Sequence, residues 1–253
     1  MSPDRRSTVG PNYNFERMAR SSDARNRAIA MNVEVGVSLY KMHHSMVIAD
    51  MALAIADQVE TQEQVKLDRF VVEMGSLLHD IGISQTIDDR SPEHSMIGAN
   101  MVRAAGYPEA VARCVEFHDC GGLVPEVIAE LALPTTCGKQ DTLPETWEEK
   151  IAVYADFVIS FEGEYNMDLW NDPIGPAKAT YHYMEYVYQH RRGLAFPREH
   201  PQMYYSNRFN QEMIRYCPRA MYETFRPGIN RMLNSMIAEG VPIPPIAPLS
   251  QWP

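Results

Sequence analysis

His79 and Asp80 stand side by side at the end of the run Gly75-Ser76-Leu77-Leu78, just ahead of Ile81-Gly82. A neutral imidazole beside a carboxylate is a ligand pair suited to Fe, Mn or Zn. Neither group is cheap to bury without a partner. His44 lies upstream, and His94, His118 and Asp156 lie downstream. A chain whose apolar segments repeatedly accept such groups is built to hold an ion.

The elements that position these groups read as helices. Apolar residues recur at spacings of three and four, and alternating strand-like runs are scarce, so the fold class is all-α. Helices are expected over about 24–41, 44–60, 64–80, 94–105, 108–119, 145–162, 176–192 and 207–239. Breaks are expected at Gly82 to Pro92, Gly106 to Pro108, Gly121-Gly122 and Pro134 to Pro144, where Gly and Pro stop helices. Within helix 44–60, His44 shares a stripe with Val47, Ile48, Met51 and Ile55. His43 sits about 100° away and is the weaker candidate. By the same test His94 falls with Ile97, Met101, Val102 and Ala105, and His118 with Val111, Cys114 and Val115. Asp156 lies among Ala152, Val153 and Ile159 in a helix apolar almost all round. One inward histidine alone is more often a hydrogen-bonded core residue than a ligand. Several in one core are hard to satisfy without a metal. His43, His182, His190 and His200 show no such pattern and read as surface residues or as neighbours that back the ligands.

Composition sets the surroundings. The chain has 253 residues, 45% of them apolar, enough for a sizeable core. No apolar run reaches the roughly 18 residues that span a bilayer, and no apolar signal core follows the polar start. A cytoplasmic location is expected. The four cysteines form no CxxC pair and read as reduced thiols. A formal charge of −10 disfavours nucleic acid and anionic membrane as partners.

The matching pieces are His44-Ser45 opening an apolar helix, Leu77-Leu78-His79-Asp80-Ile81-Gly82, Glu93-His94-Ser95-Met96-Ile97-Gly98-Ala99, Phe117-His118-Asp119-Cys120-Gly121-Gly122, and Pro144-Glu145-Thr146-Trp147-Glu148-Glu149-Lys150-Ile151 running to Ala155-Asp156. In order, spacing and flanking residues they resemble the HD-domain superfamily of metal-dependent enzymes, over about 40–160. The small HD proteins with an LPET-EEKI-AD ending are closest in look. The resemblance implies an HD-type helical bundle in which His44, His79, Asp80 and Asp156 hold a first divalent metal. The pair His94 and His118 implies a second, bridged by Asp80. Asp80, His79 and His118 are then the catalytic residues, acting with one or two ions of Fe, Mn or Zn. The chemistry implied is a metal-activated water or hydroxide attacking a small molecule, a phosphoester by family base rate.

Two positions depart from that pattern. Phosphohydrolases of the family carry a basic residue after the doublet's Ile-Gly and another after the last ligand. Here these places hold Ile83 and Phe157. A phosphoryl group wants cations there. Lys150, Lys178, Arg90 and Arg103 are the alternative sources, and Lys150, Ile83 and Phe157 are the candidate substrate contacts. The rival functions are a hydrolase of a non-phosphate substrate, cleaving a ring or C–C bond beside a carbonyl, and a di-iron oxygenase with the same ligands. A regulatory, ligand-binding module is disfavoured by the complete ligand set.

The expected organisation is an N-terminal arm at 1–23, a metal-binding domain at 24–163, and a helical extension at 164–253 ending in a proline-stiffened tail. The extension is rich in Tyr and Met. It packs on the core or against another subunit of a homo-oligomer, or else forms a lid or pocket wall that offers Tyr hydroxyls and Arg191, Arg192 or Arg198 to a substrate.

Overall fold

The computed structural model describes residues 22–87, 91–136, 138–159 and 175–240. The arm before residue 22, the tail after 240, Arg90 and Cys137 lie outside the described residues. Among those described there are ten α-helices and no strand: α1 (Ser22–Glu34), α2 (Leu39–Glu63), α3 (Arg69–Leu78), α4 (Glu93–Ala104), α5 (Glu109–Glu116), α6 (Pro125–Leu131), α7 (Trp147–Val158), α8 (Gly175–Arg192), α9 (Pro201–Met213) and α10 (Arg219–Ala238). Short 3-10 turns follow α3 (Ile81–Gln85), α5 (Asp119–Gly121) and α9 (Ile214–Tyr216). No described helix is long and apolar enough to cross a membrane.

Local chemistry sets where the site-bearing helices start. Asp68 caps α3 by accepting from the Phe70 and Val71 amides, which satisfies donors that have no partner inside the helix. Thr146 and Glu149 form a reciprocal capping box at the start of α7. Three apolar clusters then fix the layout. One joins α2 and α7 to α9 and α10 through Ile48, Ile55, Tyr154, Phe209 and Met232. A second joins α1, α3, α4 and α5 through Phe70, Met74, Leu77, Val102 and Val115. The third gathers Met96, Val127, Met184, Tyr188 and Phe196, where α6 and α8 meet α4. The C-terminal helices thus share a core with the segments that carry the candidate ligands.

Several expectations need correction. The helix expected at 24–41 is two, because Gly36 takes a left-handed φ of 86° between α1 and α2. The helix expected at 207–239 begins earlier and breaks at Cys217, with Pro218 before α10. Helix α6 had no counterpart in the sequence reading. In α4 the buried face is His94, Ser95, Met96, Gly98, Ala99 and Val102, while Ala105 is exposed. The close approach of two glycines explains this. A Cβ on Gly82 would run into the His94 carbonyl, and one on Gly98 would meet the Gly82 nitrogen at 3.1 Å. The small-residue face, rather than the larger Ile97 and Met101, therefore seats α4 on the turn after the doublet. His200 is buried, not at the surface: its Nδ1 accepts from the Gln202 amide at the start of α9.

Candidate metal centre

All six expected ligands come together. His44 opens inward from the first turns of α2, on a stripe whose Val47, Ile48, Met51 and Ile55 are all buried. His43 points elsewhere, its Nδ1 lying 2.7 Å from Ser235 Oγ on α10. His79 and Asp80 end α3. His94 lies in the first turn of α4, His118 follows α5, and Asp156 projects from α7.

The rings are held by the backbone. His79 Nδ1 lies 2.7 Å from the Ser76 carbonyl, His94 Nδ1 2.7 Å from that of Ser91, and His118 Nδ1 2.7 Å from that of Val115. A carbonyl can only accept, so each Nδ1 carries the hydrogen and each Nε2 is left to face the centre. His94 Nε2 and His118 Nε2 are 2.8 Å apart. Two neutral rings in this tautomer would aim lone pairs at each other across that gap. A cation has to mediate it, a proton or a metal ion. His79 Nε2 is buried without a hydrogen bond.

Asp80 divides its two oxygens. Oδ2 faces His79 Nε2 at 3.3 Å and His44 Nε2 at 3.7 Å, while Oδ1 faces His94 Nε2 at 3.3 Å and His118 Nε2 at 3.7 Å. Asp156 Oδ1 completes the first set, 3.2 Å from His44 Nε2 and 3.5 Å from His79 Nε2. Donor atoms within 4.8 Å of one another form the trios His44–His79–Asp156, His79–Asp80–His118 and His94–His118–Asp119. Metal–ligand bonds of about 2.0–2.2 Å fit such spacings.

Two members were not assigned a role from sequence. Asp119 Oδ1 lies 3.8 Å from His94 Nε2 and 3.9 Å from His118 Nε2, and its Oδ2 is buried without a partner. It belongs to the segment quoted for the resemblance, but nothing in its spacing gave its direction. Lys41 Nζ lies 2.9 Å from Asp80 Oδ2. It precedes His44 by one helical turn, the spacing that could have flagged it.

The field of the cluster draws in positive charge. Burial opposes ionisation of Asp80, but His79 and Lys41 outweigh it and hold the carboxyl well below the usual carboxylate range. Burial opposes charge on Asp156 as well, and His79 with a hydrogen bond from His44 brings it to about 2. Burial disfavours an imidazolium at His118, yet Asp119 and Asp80 push it up to about 9. Ligation requires that such protons give way to the metal. The donor set of imidazoles and carboxylates suits Fe, Mn or Zn.

The three expected substrate contacts fall in different places. Ile83 is half-buried on the turn after the doublet. Phe157 is a core residue, ringed by Tyr154 and Phe209. Lys150 pairs with Glu212 at 2.6 Å and lies over the Trp147 ring. Arg103 is bound to Glu109 and Glu116.

The surroundings of His94 and His118 come from the C-terminal helices. Arg191 of α8 bonds Glu93 and Ser91 at the start of α4. From α9, Gln202 donates to the Gly122 carbonyl at 2.8 Å and accepts from the Val124 amide at 3.0 Å. Tyr205 donates to the Gly121 carbonyl at 2.8 Å and Ser206 to that of Cys120 at 3.3 Å. The loop so held passes through a left-handed Cys120, φ 55°.

An uncharacterized protein of Methanocaldococcus jannaschii is 35% identical over 118 residues, 47% of this chain and 65% of its own. The tRNA (cytidine(56)-2'-O)-methyltransferase of Picrophilus torridus is 31% identical over 50% of this chain and 33% of its own length, and that of Thermoplasma volcanium 32% over 53% and 35%. The chain thus spans less than two thirds of the length of the curated relatives it matches. Among solved structures, the HD domain of the L. monocytogenes phosphodiesterase PgpH, in complex with cyclic-di-AMP, superposes with a TM-score of 0.37 and 15% identity over 76% of this chain and 98% of that one. That superposition is loose and supports no residue-level comparison. The HD-domain family model matches residues 42–156, a stretch that takes in all six expected ligands and ends on Asp156. With its helices and its histidine–aspartate doublet placed as described, residues 42–156 of this chain form an HD domain.

Proposed function

We propose that the protein is a metal-dependent hydrolase acting on a small molecule that carries an anionic oxygen group, a phosphoester being the leading class. The observation that carries this reading is the split of Asp80 between two donor sets, one oxygen toward His44 and His79 and the other toward His94 and His118. His44, His79, Asp80 and Asp156 would hold one divalent ion. His94, His118 and Asp80, joined by Asp119, would hold a second. Bound divalent metal supplies a water nucleophile at neutral pH and polarises the substrate's oxygens. The protein's part is to fix the imidazole tautomers and to keep the buried donors dry. The net charge of −10 favours a small substrate over a polynucleotide.

The test is metal analysis of anaerobically purified protein, followed by a panel of phosphomonoesters, phosphodiesters and carboxylic esters with Mn or Fe restored. Metal-dependent turnover without dioxygen consumption is expected. Turnover that consumes dioxygen and requires iron would replace this reading with the oxygenase.

A further inference from the structure

We infer that Lys41 is the substrate-positioning cation of this centre, donating to an anionic oxygen of the substrate at the open side of the ligand cluster. The inference rests on the metal-dependent hydrolase reading and names the group that recognises the substrate's charge. Lys41 Nζ sits 2.9 Å from the Asp80 oxygen that faces His44 and His79. Its side chain is 17% exposed and that of Asp156 16%, against 8% or less for Asp80, His44, His79, His94 and His118. Lys41 and Asp156 are therefore the members of the cluster that solvent reaches most.

The other cations weighed from the sequence are placed differently. Lys150 is paired with Glu212, and Arg103 with Glu109 and Glu116. Arg90 and the Lys178 side chain lie outside the described residues. At the two family positions that lack a cation, Ile83 is half-buried and Phe157 belongs to the core. Lys41 brings a positive charge to the ligand cluster from the helix that carries His44. A lysine suits this task, because its ammonium is a compact charge with three donors on a flexible stem. A divalent ion held by Asp80 would share the charge of that carboxylate and weaken its hold on Lys41. The ammonium can then turn to a substrate oxygen without leaving the site. A single ammonium matches one anionic oxygen group, phosphate or carboxylate.

The test compares wild type, Lys41→Met and Lys41→Arg as full-length chains loaded with Mn(II). Metal content, circular dichroism and the affinity for inorganic phosphate and for acetate are measured on each. Lys41→Met is expected to keep its fold and metal while losing about ten- to hundredfold in affinity for phosphate, the scale of a charge-assisted contact. Lys41→Arg should stay within a few-fold of wild type. A loss confined to acetate would assign the contact to a carboxylate. Phosphate and acetate affinities both unchanged in Lys41→Met would overturn the inference and leave the hydrolase reading standing. Loss of metal from a folded Lys41→Met would also overturn it, making Lys41 a brace for Asp80. A wild-type chain that takes up no metal would instead defeat the underlying reading.

Discussion

His44, His79, Asp80 and Asp156 are held differently from His94, His118 and Asp119. The first set stands on or just beyond three helices, α2, α3 and α7, whose apolar faces interlock in two clusters. The second set sits at a helix start and on a loop, and polar groups of the C-terminal helices hold both. Arg191 grips the residues before His94, while Gln202, Tyr205 and Ser206 grip the carbonyls and amide after His118. Apolar packing spreads its free energy over many weak contacts. A polar strap concentrates it in a few bonds, each costly to leave unmade once buried. The first donor set should therefore tolerate single changes in its surroundings, and the second should not.

The change that reaches both sets at once is Asp80→Asn, which alters charge with little change of shape. Activity is expected to fall by about a thousandfold or more, and metal analysis should show both ions weakened. Activity within a few-fold of wild type would place the chemistry elsewhere. A sharper division comes from His118→Ala, which should remove one of two bound ions and leave the fold intact by circular dichroism. One ion in both wild type and variant would dissolve the distinction between the sets.

Gln202→Leu tests the straps directly. It leaves the buried Val124 amide and Gly122 carbonyl without their partner, at about 1–3 kcal/mol for each group. A melting temperature lower by several degrees is expected, with the second ion bound about tenfold more weakly and the first unchanged. Equal weakening of both ions would show that the extension braces the whole centre. The smallest effect belongs to His43→Ala. It removes a contact with Ser235, costs about 1 kcal/mol and should leave metal content as it was. His44→Ala should not.

The contrast also accounts for what the sequence disclosed. His44 was legible because α2 buries a regular stripe, so helical phase alone gives its direction. Asp156 was legible because α7 is apolar nearly all round, and a carboxylate there has to answer to something inside. In α4 the phase held for His94 and Val102 but missed the rest of the face: two glycines permit a backbone contact that volume-based patterning does not register, and Ser95, Gly98 and Ala99 are buried while Ile97 and Met101 are only half-buried. Pro218 was a visible stop signal before α10, whereas Pro227 lies inside that helix, so proline alone does not decide. Gln202 and Tyr205 were out of reach for a different reason. Their roles arise from contacts between segments some 80 residues apart, which no local period encodes. The Phe157 position was read from a family pattern, yet its ring is claimed by Tyr154 and Phe209.

The meeting of Gly82 with His94 and Gly98 reaches beyond packing. Main chain touches main chain there, with no side chain between to act as a compressible spacer. The span from Asp80 to His94 is thereby set like a ruler cut in backbone. Core substitutions elsewhere can soften or melt the protein while leaving that span unchanged. A methyl group added at residue 82 would lengthen it. The spacing of Asp80 from His94 is therefore guarded by the residue with the least chemistry of its own.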